Sequence, residues 1–414
     1  MTHTSLQPAQ AMLGLLDPEN DDPYPLYAAL RESGDGVQWC EPMQAWFATR
    51  HEHILEMCRN PRVYSSEHFW AGPVSEHNPA DPRQVASIDV ASRQFMVTDP
   101  PDHTRLRRIL SPHFNNTALN GRWRDLVERV VADRLDRLRP GQTIDFMDEV
   151  ANLVPVAVIA GVLGAPFETD EDLAQWRSWS RDMGATLDIS IHGEAQEKAV
   201  LGQGELIDAL AEILHLRRDD PRDDLISAVA HLADDDGEPV DERDVLAQLM
   251  LLFAAGNDTT IGLLGNGVEL LLKHPETTAR VVAEGAVDAA VEEILRFEPP
   301  VHFDLRLTTE PVVLGETEID AGQQVFQILP AANRDPRVFA DPDTYDPWRP
   351  NARSHLSFLH GPHHCIGSGL ARLEGRIMFT RLLERFPGIR LAGDPVRFTR
   401  NKATRGLALL PVTL

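Results

Sequence analysis

The stretch Phe358-Leu359-His360-Gly361-Pro362-His363-His364-Cys365-Ile366-Gly367 decides how this chain is read. It sets a lone cysteine just ahead of a segment whose apolar residues Leu370, Leu373, Ile377 and Phe379 recur at helical spacing, which predicts a helix from Ile366 to Arg385. A thiolate at Cys365 would face the unpaired N–H groups and the positive dipole end of that helix, and both stabilise its charge. Gly361 and Gly367 permit the tight backbone that brings amides close to the sulfur.

Three roles suit these residues taken alone. A cysteine at a helix start is often a packing residue. His360, His363, His364 and Cys365 are four potential zinc or copper ligands within six residues, although adjacent His364 and Cys365 point poorly at one ion and no second ligand cluster accompanies them. The third role is axial donation to haem iron, for which such a stabilised thiolate is well suited because its electron release favours O–O cleavage.

Composition narrows the classes. The 414 residues are 43% hydrophobic and 25% charged, which is globular rather than disordered. A formal net charge of −25 argues against a nucleic-acid or anionic-membrane surface as main partner, since both call for clustered Lys and Arg. The longest apolar runs, Leu153 to Pro166 and Val245 to Gly256, fall short of the roughly 20 residues needed to span a bilayer. Met1 to Leu16 lacks the basic start and apolar stretch of a signal peptide. Three cysteines, Cys40, Cys58 and Cys365, fit a reducing compartment, so the expected location is the cytoplasm, with Cys40 and Cys58 as filler.

Along the chain, the start is polar and Pro-rich to Pro23. A short helix is then predicted over Tyr24–Arg31, a hairpin through Val37, Trp39, Trp46 and Ala48, and a helix over about His51–Arg59. Ala71 to Thr98, with Gly72, Pro73, Pro79 and Pro82, reads as a long loop of the kind that carries function. From Asp102 helices dominate for about two hundred residues, punctuated at Pro140-Gly141, Gly164-Ala165-Pro166, Pro221 and Asp234-Asp235-Asp236-Gly237. After Pro300 come short strands such as Val312 to Leu314 and Gln324 to Leu329, and a strand-rich tail runs through Leu407 to Val412.

Two further clusters stand out. Glu293 and Arg296 lie one helical turn apart and can pair on one face. Inside the apolar helix beginning near Val245, Ala255-Gly256-Asn257-Asp258-Thr259-Thr260 puts an acid beside hydroxyls, and burying a charge there is costly unless it serves a function.

Together these segments resemble the cytochrome P-450 family. Phe358, Gly361, His363, Cys365 and Gly367 occupy the haem-binding signature, Gly369-Leu370-Ala371-Arg372 resembles its continuation, and Leu359 stands where bacterial members commonly have Gly. The resemblance runs from about Pro23 to Val412, with the motifs in the family's order. It implies a mainly α fold with a small β-rich side, a single triangular domain over residues 23–414 after an extension at 1–22, and haem b held by Cys365. It further implies Asp258 and Thr259 as the oxygen-activation pair beside Gly256, and a structural triad of Glu293, Arg296 and Arg349. His103, Arg107, Arg306 and His363 are implied as partners of the haem propionates. Phe95, Leu252, Ala255, Val301, His302, Phe303, Ala403 and Thr404 are implied as substrate-pocket residues, mostly apolar.

The function so implied is insertion of one oxygen atom from dioxygen into a lipophilic small molecule. Neither an electron-transfer module nor a Gly-x-Gly-x-x-Gly fingerprint after a predicted strand is evident, so electrons are expected from a ferredoxin and its NAD(P)H-dependent reductase, with Arg108, Arg372 and Arg376 as docking candidates. A peroxide-driven peroxygenase and a non-catalytic haem sensor are the competing functions. Asp258 and Thr259 favour dioxygen use over both.

Overall fold

The computed structural model describes residues 8–17, 20–67, 82–167, 169–186, 193–234, 237–397 and 403–414. The chain forms two compact units. One comprises Met1–Phe69, Gly265–Cys365 and Pro395–Ala408, the other Trp70–Leu264, Ile366–Asp394 and Leu409–Leu414.

The first unit is built on a five-stranded sheet ordered Val37–Cys40, Ala45–Ala48, Gln324–Ile328, Phe303–Thr308, Tyr64–Ser65. Ala45–Ala48 pairs in parallel with Gln324–Ile328, Phe47 opposite Phe326, whereas Phe303–Thr308 runs antiparallel to it with Arg306 opposite Val325. Successive side chains of a strand point to opposite faces. Phe47, Phe326 and Ile328 accordingly enter one apolar cluster with Leu30 and Tyr27, while Ala48 and Val325 enter another with Ile54, Met57, Cys58 and Tyr64. The helix His51–Arg59 closes the second cluster through Ile54, Met57 and Cys58, spaced three and four apart on one face.

The second unit is mostly helical, with the helices Arg122–Asp136, Val154–Leu163, Asp170–Thr186, Glu194–Asp219 and Ser368–Arg385. It also holds a three-stranded sheet ordered Thr143–Asp145, Pro411–Thr413, Arg390–Leu391. Every residue of Val154–Leu163 except Gly161 is buried, as an all-round apolar helix requires. The 32-residue helix Glu242–Lys273 runs from this unit into the first. No described helix is long and apolar enough to cross a membrane.

The helices Tyr24–Arg31 and His51–Arg59 and the hairpin match the sequence reading. Three expectations differ. The Pro-rich start holds a helix, Pro8–Leu16, because proline at a first helical position costs no hydrogen bond and Ala11 and Met12 are buried in the cluster of Phe47. Within the supposed loop, Pro82–Ser92 is helical. It is held from outside, Gln203 Nε2 donating to Ser87 O at 3.3 Å and Ser87 Oγ to Val200 O at 3.4 Å. Finally, the helix after Cys365 begins at Ser368, since Gly367 takes the capping position. Gly72, Pro73 and Pro79, Asp235 and Asp236 lie outside the described residues.

Candidate active site

Cys365 is exposed, whereas Cys40 and Cys58 are buried, and burial pushes the Cys58 thiol up to about 11. The difference comes from the folding of 356–365 back on itself. Cys365 N donates to Phe358 O at 2.9 Å, His364 N to Gly361 O at 3.1 Å and Leu359 N to Leu356 O at 2.8 Å. Leu359 adopts φ +55°, a conformation that suits glycine better, and its side chain packs against the cluster of Ile54 and Met57. Gly361, at φ +69°, has no alternative: a Cβ there would lie 2.3 Å from Cys58 O. The helix His51–Arg59 thus sets the height at which the cysteine loop crosses it.

Glu293 and Arg296 occupy consecutive turns of Val287–Phe297 and are both fully buried. Arg296 Nη2 and Nε donate to the two carboxylate oxygens of Glu293 at 2.7 and 2.8 Å. Burial lowers the pKa of Arg296, opposed by the hydrogen bonds and charge of Glu293. The remaining guanidinium protons go to Asn333 O, Pro342 O and Thr344 O. Arg349 Nε meets Glu293 Oε1 at 3.3 Å and its other nitrogens donate to Ala340 O, Asp341 O and Thr344 O. Asp346 N donates to the same Glu293 oxygen at 2.9 Å. One carboxylate and two guanidinia therefore fasten the 333–349 segment to a helix. On the same segment Asn333 reaches the cysteine loop, its Oδ1 accepting from Leu356 N at 2.7 Å and its Nδ2 donating to Ser357 Oγ at 2.8 Å.

On the long helix, Thr259 Oγ1 donates to Ala255 O and Thr260 Oγ1 to Gly256 O, each at 2.8 Å. Asp258 instead leaves its own helix for Asp170–Thr186, where Ser180 Oγ donates to its Oδ1 at 2.9 Å. Burial raises the Asp258 pKa to about 6, the Ser180 bond opposing it. Packing among the described residues does not demand glycine at 256, because a Cβ there would meet only Ile159, at 3.5 Å.

The other candidates fall in two groups. In the helical unit, the buried His103 ring stands edge-on to Phe95 at 5.9 Å, with the Arg107 guanidinium 5.3 Å from the Phe95 centroid. Gln248, with Leu252 one turn further on, fixes this segment: its Oε1 accepts from Phe95 N at 3.0 Å and its Nε2 donates to Arg93 O at 2.9 Å. Leu252 is buried and Ala255 exposed. In the sheet unit, the buried Arg306 pairs with Asp304 at 2.9 Å, and His363 Nε2 lies 3.2 Å from Ser66 Oγ. Val301 bridges to Thr404, and His302 N donates to Ala403 O at 2.9 Å. Phe303 stacks edge-on against Phe326 at 5.2 Å. His302 turns its ring to Tyr27, sharing a 2.8 Å hydrogen bond through Nδ1, and burial and Arg405 lower its pKa to about 3.

No cluster of three or more His, Cys, Asp or Glu able to hold a metal ion occurs among the described residues, so the four candidate ligands at 360–365 do not converge. Sequence reasoning missed Ser180 and Gln248, and gave no role of their own to Asn333 and Asp346. Each acts through a contact with a residue distant in the chain.

Residues 77–411 match the family described as Cytochrome P-450. The chain is 33% identical over 407 residues to cytochrome P-450 107B1 of Saccharopolyspora erythraea, covering 97% of each. It is equally 33% identical to the vitamin D(3) 25-hydroxylase of Pseudonocardia autotrophica, covering 95% of this chain and 94% of that one. Among solved structures, P-450 BioI in complex with an acyl carrier protein ligated to hexadec-9Z-enoic acid superposes with TM-score 0.85 at 28% identity, covering 95% of this chain and 98% of that one. PksS of the Bacillus subtilis bacillaene polyketide synthase gives 0.83 at 30%, covering 96% and 99%.

Proposed function

The chain belongs to the cytochrome P-450 family and is a haem monooxygenase, and we propose that it inserts one oxygen atom into a lipophilic small molecule, using electrons from a cytoplasmic ferredoxin and its NAD(P)H-dependent reductase. The family holds haem b through a cysteine thiolate. The observation that carries the assignment here is the exposure of Cys365 at the end of a loop braced by Gly361 and Leu359, while the other two thiols are buried.

The donor set suits haem: one exposed sulfur that would hold the iron, and the cationic or imidazole side chains of His103, Arg107, Arg306 and His363 that would meet the propionates. When bound, thiolate-ligated haem supplies the electron release that favours cleavage of dioxygen. The chain's own part is then to position and to move protons. Asp258, with a pKa near 6, can hold a proton at its carboxyl close to neutral pH and yield it inward, while the Thr259 hydroxyl, resting on Ala255 O, would be able to turn and donate elsewhere. Glu293, Arg296 and Arg349 brace the segment before the cysteine loop and do no chemistry. We take residues 23–414 as one haem domain.

For the substrate, the resemblance to the family supports Phe95, Leu252, Ala255, Val301, Phe303, Ala403 and Thr404 as contact residues, and they are mostly apolar. His302 spends Nδ1 on Tyr27, and its buried Nε2 has no partner among the described residues. A relative named as a vitamin D(3) hydroxylase supports the lipophilic class. The experiment is the carbon monoxide difference spectrum of the reduced protein beside that of Cys365→Ala. The wild type is expected to show the thiolate-ligated band and the variant to lose it together with most of its haem, and a variant retaining the band sinks the assignment. A spectral-shift screen of lipophilic small molecules against the same holoprotein then identifies the substrate.

A further inference from the structure

We propose that Ser180 and Gly184, one turn apart on the helix Asp170–Thr186, are positioning residues that hold the carboxyl of Asp258 against that helix and so set when it can give up a proton. The inference rests on Asp258 being the proton donor of the reaction and adds the residues that control it.

Three observations converge. First, Ser180 Oγ is buried, accepts from Asn257 Nδ2 and donates to Asp258 Oδ1 at 2.9 Å, so an ordered chain of donors runs Asn257, Ser180, Asp258. Second, the other carboxylate oxygen lies over Gly184: a Cβ built there would sit 2.8 Å from Asp258 Oδ2, closer than side-chain carbons approach such an atom. Ser180 draws the carboxyl in and Gly184 makes the space for it. Third, burial, opposed by the Ser180 bond, governs the ionisation of Asp258, and no charged side chain among the described residues contributes. A buried carboxylate is usually steadied by a cation. Here neutral donors do that work, Ser180 Oγ at 2.9 Å and Asn257 Nδ2 at 3.4 Å, and loss of the closer one therefore shifts the acid more than it would beside an arginine.

The geometry also separates acid from hydroxyl. Both Asp258 oxygens face the helix Asp170–Thr186, and Thr259 donates within its own helix to Ala255 O. The carboxyl must leave Ser180 before it can serve Thr259. Ser180 favours the ionised, parked form, because its O–H donates to the carboxylate.

The test is an infrared titration of the protonated carboxyl band in the resting holoprotein, with Asp258→Asn as the blank. Wild type is expected to titrate near pH 6. Ser180→Ala and Gly184→Ala should each move that titration up by about half a pH unit or more, and Ser180→Thr, which keeps the hydroxyl, should restore it. Unaltered titration in Ser180→Ala, with a normal haem spectrum and melting temperature, overturns the proposal. Turnover isolates the underlying reading: if Asp258→Asn leaves the solvent isotope effect unchanged while the infrared shifts occur, the positioning stands and the relay role falls.

Discussion

Two residues hold opposite electrostatic bargains. Glu293 is fully buried but satisfied by Arg296, Arg349 and Asp346 N, so its charge is matched on every side. Replacing Glu293 with Gln strands two guanidinia, and the expected cost of about 3–5 kcal/mol should appear as a lower melting temperature and poor haem retention. Among the described residues Asp258 has only neutral donors, Ser180 and the more distant Asn257, to oppose its burial. Its folded-state pKa of about 6 exceeds the ordinary 3.8, so between those values the folded protein binds more protons than the unfolded chain. Stability from this group is therefore greatest at low pH, falls as pH rises through about 6, and stays reduced above. Urea midpoints of the holoprotein at about pH 5 and about pH 8 should differ less in Asp258→Asn than in wild type, and equal differences would contradict the raised pKa.

At the scale of the element, the long helix Glu242–Lys273 carries both its packing and its polar site on one rod. Thr259 and Thr260 bond back to carbonyls four residues earlier, which satisfies each hydroxyl at little structural cost. Removing the Thr259 hydroxyl should hence leave the helix, the haem content and substrate binding nearly intact. With a reconstituted reductase and a substrate from the screen, Thr259→Ala should divert NAD(P)H-derived electrons from product into hydrogen peroxide, by a factor of about ten or more. NAD(P)H consumed, product formed and peroxide released are the three quantities to measure, and unchanged coupling would remove Thr259 from the oxygen chemistry. Elements also explain the misreadings. The periodicity of Pro82–Ser92 is weak because the helix is docked to Glu194–Asp219 by hydrogen bonds of Ser87 with Val200 O and Gln203 Nε2 rather than by an apolar stripe of its own.

Over the whole molecule, a net charge of −25 makes local positive charge valuable for meeting another acidic protein. Arg108, Arg372 and Arg376 all belong to the helical unit, the first exposed and the other two half-buried. Reversing charge by Arg376→Glu is expected to slow reduction by ferredoxin roughly tenfold at low ionic strength, with the gap closing as salt screens it. Stopped-flow reduction at two salt concentrations checks this, and a salt-independent effect would point to damaged folding instead.

The sequence alone determined the family, the cysteine, the Glu293–Arg296 spacing and the succession of helices and strands, because each is written in residues close together in the chain, where periodicity and turn chemistry act. Even the departure at Leu359 was visible, though not that it would keep a positive φ by packing on the cluster of Ile54 and Met57. Only the tertiary structure decided what surrounds those residues: that Cys58 O denies a side chain to Gly361, that Asn333 ties the braced segment to the loop, and that Asp258 turns to Ser180 while His302 turns to Tyr27. Those contacts join positions dozens to hundreds of residues apart. Their energies depend on burial and on partners that exist only once the chain has folded, and no local pattern encodes them.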